Sequence, residues 1–163
     1  MHAAGRERGA RDPVQARMSL AVARRLCAER GVRLTSTRSR VLELLLDSDV
    51  PCTAYDLIAA LGVRLGRKVN PPTVYRALEF LIDQGLAHRL EGERAFMPGA
   101  PNMQGRGCLL CLCDACGKAI TVDASDIEAE LALTASALGF IIHRSVLETR
   151  GQCPRCVAVR GDS

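Results

Sequence analysis

Two Cys-x-x-Cys pairs, Cys113–Cys116 and Cys153–Cys156, constrain this chain more than any other feature of its 163 residues. A two-residue gap lets both thiolates of a pair reach one ion at about 2.3 Å while backbone N–H groups point at the sulfurs. Four soft thiolates in a tetrahedron favour Zn2+, and the closed shell leaves no open position for chemistry. The two pairs therefore read as one structural zinc site tying a strand turn to the C-terminal segment. Two matched pairs argue for a shared ion over a redox Cys-x-x-Cys or a set of free core thiols. Compartment supports the same reading. The N-terminal stretch MHAAGRERGARDPVQ carries charge and no apolar h-region, so it is not a secretory signal. No apolar run approaches the roughly 20 residues needed to span a bilayer. A cytoplasmic protein is expected, where thiols stay reduced and paired spacings point to metal.

Ahead of the knuckles, hydrophobic periodicity predicts four helices. The first covers about 16–30, with Val22 and Leu26 on one face and Gly31 as its stop. The second covers about 36–47 behind Thr35 or Ser36, and the third about 53–63 from a Thr53 cap. The fourth has the clearest punctuation: Asn70 as cap, Pro71 in the first turn, Gly85 at the end, and a stripe of Val74, Leu78, Leu81 and Ile82. LAHRLEGERAFM then reads as two short strands turning at Glu91–Gly92–Glu93. Three helices and a hairpin make a winged helix, with the fourth helix of the chain as the reading helix.

PGAPNMQGRG, residues 98–107, is rich in Gly and Pro and reads as a hinge. Beyond it, CLLCLC and KAITV are two predicted strands. A helix over about 125–138 follows, with Ser125 and Glu128 as a capping box, and then a long strand, FIIHRSVLETRG. The fold class is α+β: a disordered tail over 1–15, a winged helix-turn-helix over 16–97, the hinge, and a small α/β domain over 108–157 around the four-cysteine site.

Charge is unevenly placed. Residues 1–100 hold 16 Lys/Arg against 11 Asp/Glu, whereas residues 101–163 hold 6 against 7. The positive excess of the first half suits a phosphate backbone, and equally a solvated basic surface. The chain's two tyrosines, Tyr55 and Tyr75, fall near the starts of the third and fourth helices. Helix N-terminal turns face the groove in this motif, so both tyrosines suit DNA contact, the alternative being that they seal the rim of the domain. Arg76 could present its fork to a guanine edge, and Thr73 with the helix N-terminus could bind phosphate. Cys27 and Cys52 read as small hydrophobes.

LTSTRSRVLELLLDSD, PCTAYDLIAAL and NPPTVYRALEFLIDQGLAHRL, followed by both knuckles in order, resemble the ferric uptake regulator family over about residues 16–157. PPTVYRAL, the Gly85-to-His88 spacing and GFIIHRSVLETRGQCPRC lean toward its zinc uptake regulator branch. The resemblance implies a homodimer that, when zinc-loaded, binds inverted-repeat operators in double-stranded DNA and represses zinc-acquisition genes. It assigns DNA contact to Tyr55, Tyr75 and Arg76, and regulatory zinc binding to His88.

The chain also departs from the family. A His-rich stretch usually precedes the first knuckle, where this sequence has Gly107-Cys108-Leu109-Leu110-Cys111. Gly99 stands where zinc-type members carry Cys, and Thr121 where an acidic ligand is common. Strand geometry suggests substitutes: Cys108 for the missing histidine and Asp123, two residues past the acidic position and on the same face. The expected sensing site is His88, Cys108 and Asp123, with Cys111 or His143 as a fourth ligand. A thiolate there favours Zn2+ over Fe2+ or Mn2+. Two ions per chain are thus expected, one structural and one regulatory. Three other readings stand beside this one: a sibling that senses iron, manganese or peroxide, a zinc-ribbon protein-interaction module, and a thiol enzyme using Cys108 and Cys111. No nucleophile–base pair and no cofactor motif supports the enzyme, so neither catalysis nor a small-molecule substrate is expected, and no membrane partner.

Overall fold

The computed structural model describes residues 18–90, 92, 94–99, 107–143, 145 and 147–161. The predicted N-terminal tail, most of the hinge, and the wing-turn residues Glu91 and Glu93 lie outside the described residues. The chain runs α1 (Leu20–Glu29), α2 (Ser36–Leu46), β1 (Cys52–Thr53), α3 (Ala54–Leu65), α4 (Pro71–Asp83), β2 (Ala87–Leu90) and β3 (Ala95–Pro98). It continues with β4 (Cys108–Cys113), β5 (Ala119–Asp123), α5 (Ser125–Ala137), β6 (Leu147–Gly151) and α6 (Pro154–Gly161).

The four N-terminal helices close over one core. Val41, Leu42 and Leu45 of α2 meet Leu57 and Leu61 of α3 and Val74, Leu78 and Leu81 of α4, all buried. These are the apolar stripes that helical spacing places on one face. Cys27 joins this core, where burial pushes its thiol up, as expected of a small hydrophobe. Thr53 caps α3 as the sequence suggests, in a reciprocal box: its Oγ1 accepts from the Asp56 N–H at 3.2 Å, and the Asp56 carboxylate accepts from the Thr53 N–H at 3.0 Å.

β1, β3 and β2 form an antiparallel sheet in that order. β1 is too short to show as a pattern in sequence, yet Cys52 pairs with Phe96 and Thr53 with Ala95, so the wing gains a third strand. Both faces of β3 are covered. Phe96 enters the helical core, while Ala95 and Met97 join Leu90 in a second cluster with Leu110 and Leu112 of β4. The outer face of the wing thus packs against the second sheet, whose order is β5-β4-β6, with β4 antiparallel to β5 and parallel to β6.

Four local expectations need correction. α1 starts at Leu20 behind a Ser19 cap, later than residue 16. α5 has no Ser125–Glu128 capping box. Asp123 accepts from the Ser125 N–H at 2.9 Å instead, and Glu128 accepts from the Ser145 hydroxyl at 2.8 Å. Among the described residues of the long strand predicted over 140–151, only Leu147–Gly151 forms a strand, the part that pairs with β4. α6, unforeseen, starts at Pro154 inside the second knuckle.

The cap offers a direct test. Hydrogen bonds from the Thr53 side chain, then from its backbone, hold the Asp56 carboxyl below its ordinary value. Thr53→Ala should lower the free energy of unfolding by about 1 kcal/mol in a denaturant titration. The carboxylate's share of the stabilisation should be fully present above the ordinary aspartate value. It should fade as pH falls through the lowered one.

Candidate metal centre and DNA-facing surface

Parallel pairing of β4 with β6 builds the metal centre. Cys113 ends β4 opposite Gly151, the end of β6, so two neighbouring strands deliver both knuckles side by side. The first knuckle turns tightly: the Gly117 N–H donates to the Cys113 carbonyl at 2.8 Å, and Gly117 takes the left-handed φ of 70° that only glycine adopts without strain. The second knuckle opens α6, with the Cys153 carbonyl accepting from the N–H groups of Cys156 and Val157 at 2.9 and 3.0 Å. Asp114 donates its N–H to the Gly151 carbonyl at 2.8 Å and clips one knuckle to the other.

The four sulfurs lie within 4.8 Å of one another. A tetrahedron with metal–sulfur arms of about 2.3 Å has edges of about 3.8 Å. Cys116 Sγ and Cys153 Sγ stand 3.8 Å apart, which matches such an edge. Backbone amides already serve the cluster: the Cys153 N–H donates to Cys113 Sγ at 3.3 Å. Such bonds, first from Cys153 and then from Cys116, lower the Cys113 thiol to about 6, which favours the thiolate a metal needs. The donor set fits Zn2+, held by all four cysteines. Among the described residues, no other group of three or more His, Cys, Asp and Glu side chains converges this closely.

The expected sensing residues are differently arranged. His88 pairs with Met97 across the wing and, by the two-residue period, shares the face of Leu90 that meets β4. Its Nε2 is buried with no hydrogen-bond partner among the described residues, and burial lowers its pKa, which favours the neutral imidazole. Cys108 lies on the Leu110 and Leu112 face of β4, directly opposite Asp123 of β5. Burial, then the Glu128 charge, pushes its thiol up. His88 and Cys108 lie on the strand faces that form the wing–sheet seam, whereas Asp123, the partner of Cys108, is exposed, and the three donor atoms do not converge as the four thiols do. Asp123 is meanwhile engaged by Ser125.

The fourth-ligand candidates fall away from that seam. Cys111 is an odd number of residues from Cys108, so it projects to the other face of β4. There it accepts from the Thr149 hydroxyl at 3.4 Å and lines a groove beside Cys113 and Cys116. His143 is exposed, outside any strand. At Gly99 the backbone decides the residue: an added Cβ would stand 2.2 Å from the Gly85 carbonyl oxygen, so a cysteine cannot be accommodated.

On the helical half, α4 buries Val74, Ala77, Leu78 and Leu81 and leaves Thr73, Tyr75 and Arg76 exposed on its first turns. Tyr55, on the first turn of α3, is 81% exposed, and Tyr75 is 49% exposed. Neither tyrosine seals a rim. Both present their rings to solvent at helix N-termini, where a phosphate or a base edge can reach them.

Sequence and structure comparisons agree with this geometry. The ferric uptake regulator family model matches residues 29–150. The chain belongs to the ferric uptake regulator family. It is 36% identical over 141 residues to the zinc uptake regulation protein of Escherichia coli strain K12, covering 86% of this chain and 82% of that protein. The fold is similar to that of a zinc uptake regulator complexed with zinc and DNA, with TM-score 0.81, 35% identity, and coverage of 87% of this chain and 95% of the other. Holo XcZur superposes with TM-score 0.77 at 38% identity, covering 85% of this chain and 96% of that one. The family is one of transcription regulators, not of enzymes, and no described helix is long and apolar enough to cross a membrane.

The metal centre makes its own prediction. Cys153→Ser should abolish tight zinc retention, measured as metal per chain by mass spectrometry after gel filtration. It should also collapse protection of β4–β6 amides while α2–α4 stay protected, because ligation energy is folding energy for this half.

Proposed function

We propose that this chain is a zinc-responsive transcriptional repressor that binds inverted-repeat operators of zinc-acquisition genes as a homodimer. The observation that carries the reading is the pairing of a convergent four-thiol cluster with an exposed Thr73–Tyr75–Arg76 turn on α4, in a chain 36% identical to a zinc uptake regulation protein. Similarity to a regulator complexed with zinc and DNA supports DNA as the partner. Tyr55, Tyr75 and Arg76 contact the duplex, Arg76 through its fork at a guanine edge, and Thr73 binds phosphate.

Dimer formation follows from apolar surface left uncovered. α5 buries none of its residues within the chain, and Ile127, Leu131 and Leu133 are exposed on it. Leu138, Phe140 and Ile141 continue the patch at 69–81% exposure. A second copy covers such a face isologously and sets two reading helices for successive major grooves about 34 Å apart.

The regulatory metal belongs at the wing–sheet seam, with His88, Cys108 and Asp123 as its ligands. His88 offers a desolvated nitrogen from the wing, and Cys108 and Asp123 pair with each other across β4 and β5 of the neighbouring sheet. Zinc bound across the seam would link the two, and it acts through its differential affinity for the DNA-competent orientation. The thiol among these ligands argues against the iron-, manganese- and peroxide-sensing alternatives, since a thiolate favours Zn2+ over Fe2+ or Mn2+.

Operator binding on a duplex selected from a random-sequence pool should rise with free zinc and not with Fe2+ or Mn2+. Arg76→Ala should lose about five-fold or more in affinity for that duplex. His88→Ala and Cys108→Ser should each shift the zinc midpoint upward while retaining one tightly held zinc. Equal binding across the zinc range would end the zinc-switch reading, and retained binding by Arg76→Ala would favour a protein-interaction module. Leu131→Asp should convert the dimer to monomer in sedimentation velocity.

A further inference from the structure

The reading helix is gripped from outside at two points four residues apart, and both grips are arginines. Arg38, in the first turn of α2, lies over the Phe80 ring with its guanidinium carbon 3.5 Å from the centroid. It also donates from Nη1 to the Arg33 carbonyl at 2.7 Å, which fixes the plane of the fork. Arg30, the C-cap of α1, donates from Nη1 to the Gln84 carbonyl at 2.7 Å and to Gln84 Oε1 at 3.2 Å. Gln84 is the C-cap of α4, so Arg30 places a cation on the negative end of that helix. Residues four apart share a helix face, so Phe80 and Gln84 present both contacts on one side of α4.

Apolar burial sets how deep α4 sits but is non-directional, and it discriminates poorly between small rotations of the helix about its axis. The two arginine contacts are directional. Tyr75 and Arg76 stand at the opposite end: Gln84 is eight residues beyond Arg76, about 12 Å along the axis, and Phe80 about 6 Å. A small tilt at the clamp therefore swings the exposed first turn.

We propose that Arg30 and Arg38 are positioning residues that clamp α4, and so decide which base pairs its first turn meets, without touching DNA. This rests on the reading of α4 as the helix that reads DNA. Arg30→Met, Arg38→Met and Arg38→Lys are compared with wild type as full-length, zinc-loaded proteins. The probe is a duplex that wild type selects from a random-sequence pool, together with single-base-pair variants of it.

The methionine variants should lose roughly five-fold of the discrimination between these duplexes, while the slope of log affinity against log salt stays at the wild-type value. Arg38→Lys should lose discrimination too, since it keeps the charge but not the planar stack. A slope smaller by about 0.9 for each arginine removed would make these phosphate contacts and overturn the proposal. Amide exchange on the DNA-free proteins supplies a second readout, with α4 amides exchanging roughly two- to five-fold faster in the methionine variants. Unchanged exchange overturns the clamp whatever the DNA result. Should wild type select no duplex, the DNA-binding reading fails, and exchange alone then decides whether the clamp exists.

Discussion

Convergence of four thiols on one point is the constraint that the C-terminal half depends on. Among the described residues beyond position 107, only Leu110, Leu112, Cys113 and Ala124 are buried hydrophobics. That is too little apolar burial to hold a three-stranded sheet and two helices against their conformational entropy. An ion held by both knuckles would replace the missing core with a cross-link between the ends of β4 and β6 and the start of α6. The N-terminal half needs no such device, since α2, α3 and α4 bury six leucines and two valines in one cluster. The two halves are thus stabilised by different physics, burial in one and coordination in the other.

The wing is where these regimes meet. Period-two alternation splits β3 between them: Phe96 serves the helical core, and Ala95 and Met97 serve the cluster with Leu110 and Leu112. The outer wing face is therefore covered by the second sheet where Leu90, Ala95 and Met97 meet Leu110 and Leu112. This covering also explains why His88 Nε2 is buried with no partner among the described residues, because an imidazole on that face is desolvated by the sheet opposite. A buried, unsatisfied donor or acceptor carries a free-energy penalty unless something engages it. Within the proposed function, the regulatory ion is what engages His88.

Much of this was legible in the residues alone, for identifiable reasons. The four stripes of the helical half and the Gly and Pro punctuation of α4 place its helices, because 3.6-residue periodicity is a local property. The knuckles identify a zinc site because two-residue spacing and thiolate softness are also local. What escaped the sequence is mostly pairing between distant segments. β1 is two residues long and exists only because Phe96 and Ala95 pair with it. Residues 140–143 read as strand, yet among the described residues only Leu147–Gly151 pairs with β4. The Ser125–Glu128 box has the right spacing, yet Asp123 takes the role, and Glu128 turns to Ser145, seventeen residues on.

Sequence by itself determined the helical half, the tetrahedral donor set and the family, since each rests on spacing within a few residues or on short ordered motifs. Only the tertiary structure decided which side of β4 each cysteine faces relative to the wing, that Gly99 has no room for a side chain, and that two arginines from α1 and α2 hold α4. Those features arise where strands pair and helices cross at long sequence separation. There a single Cβ, or a one-residue shift in register, changes what a side chain can touch.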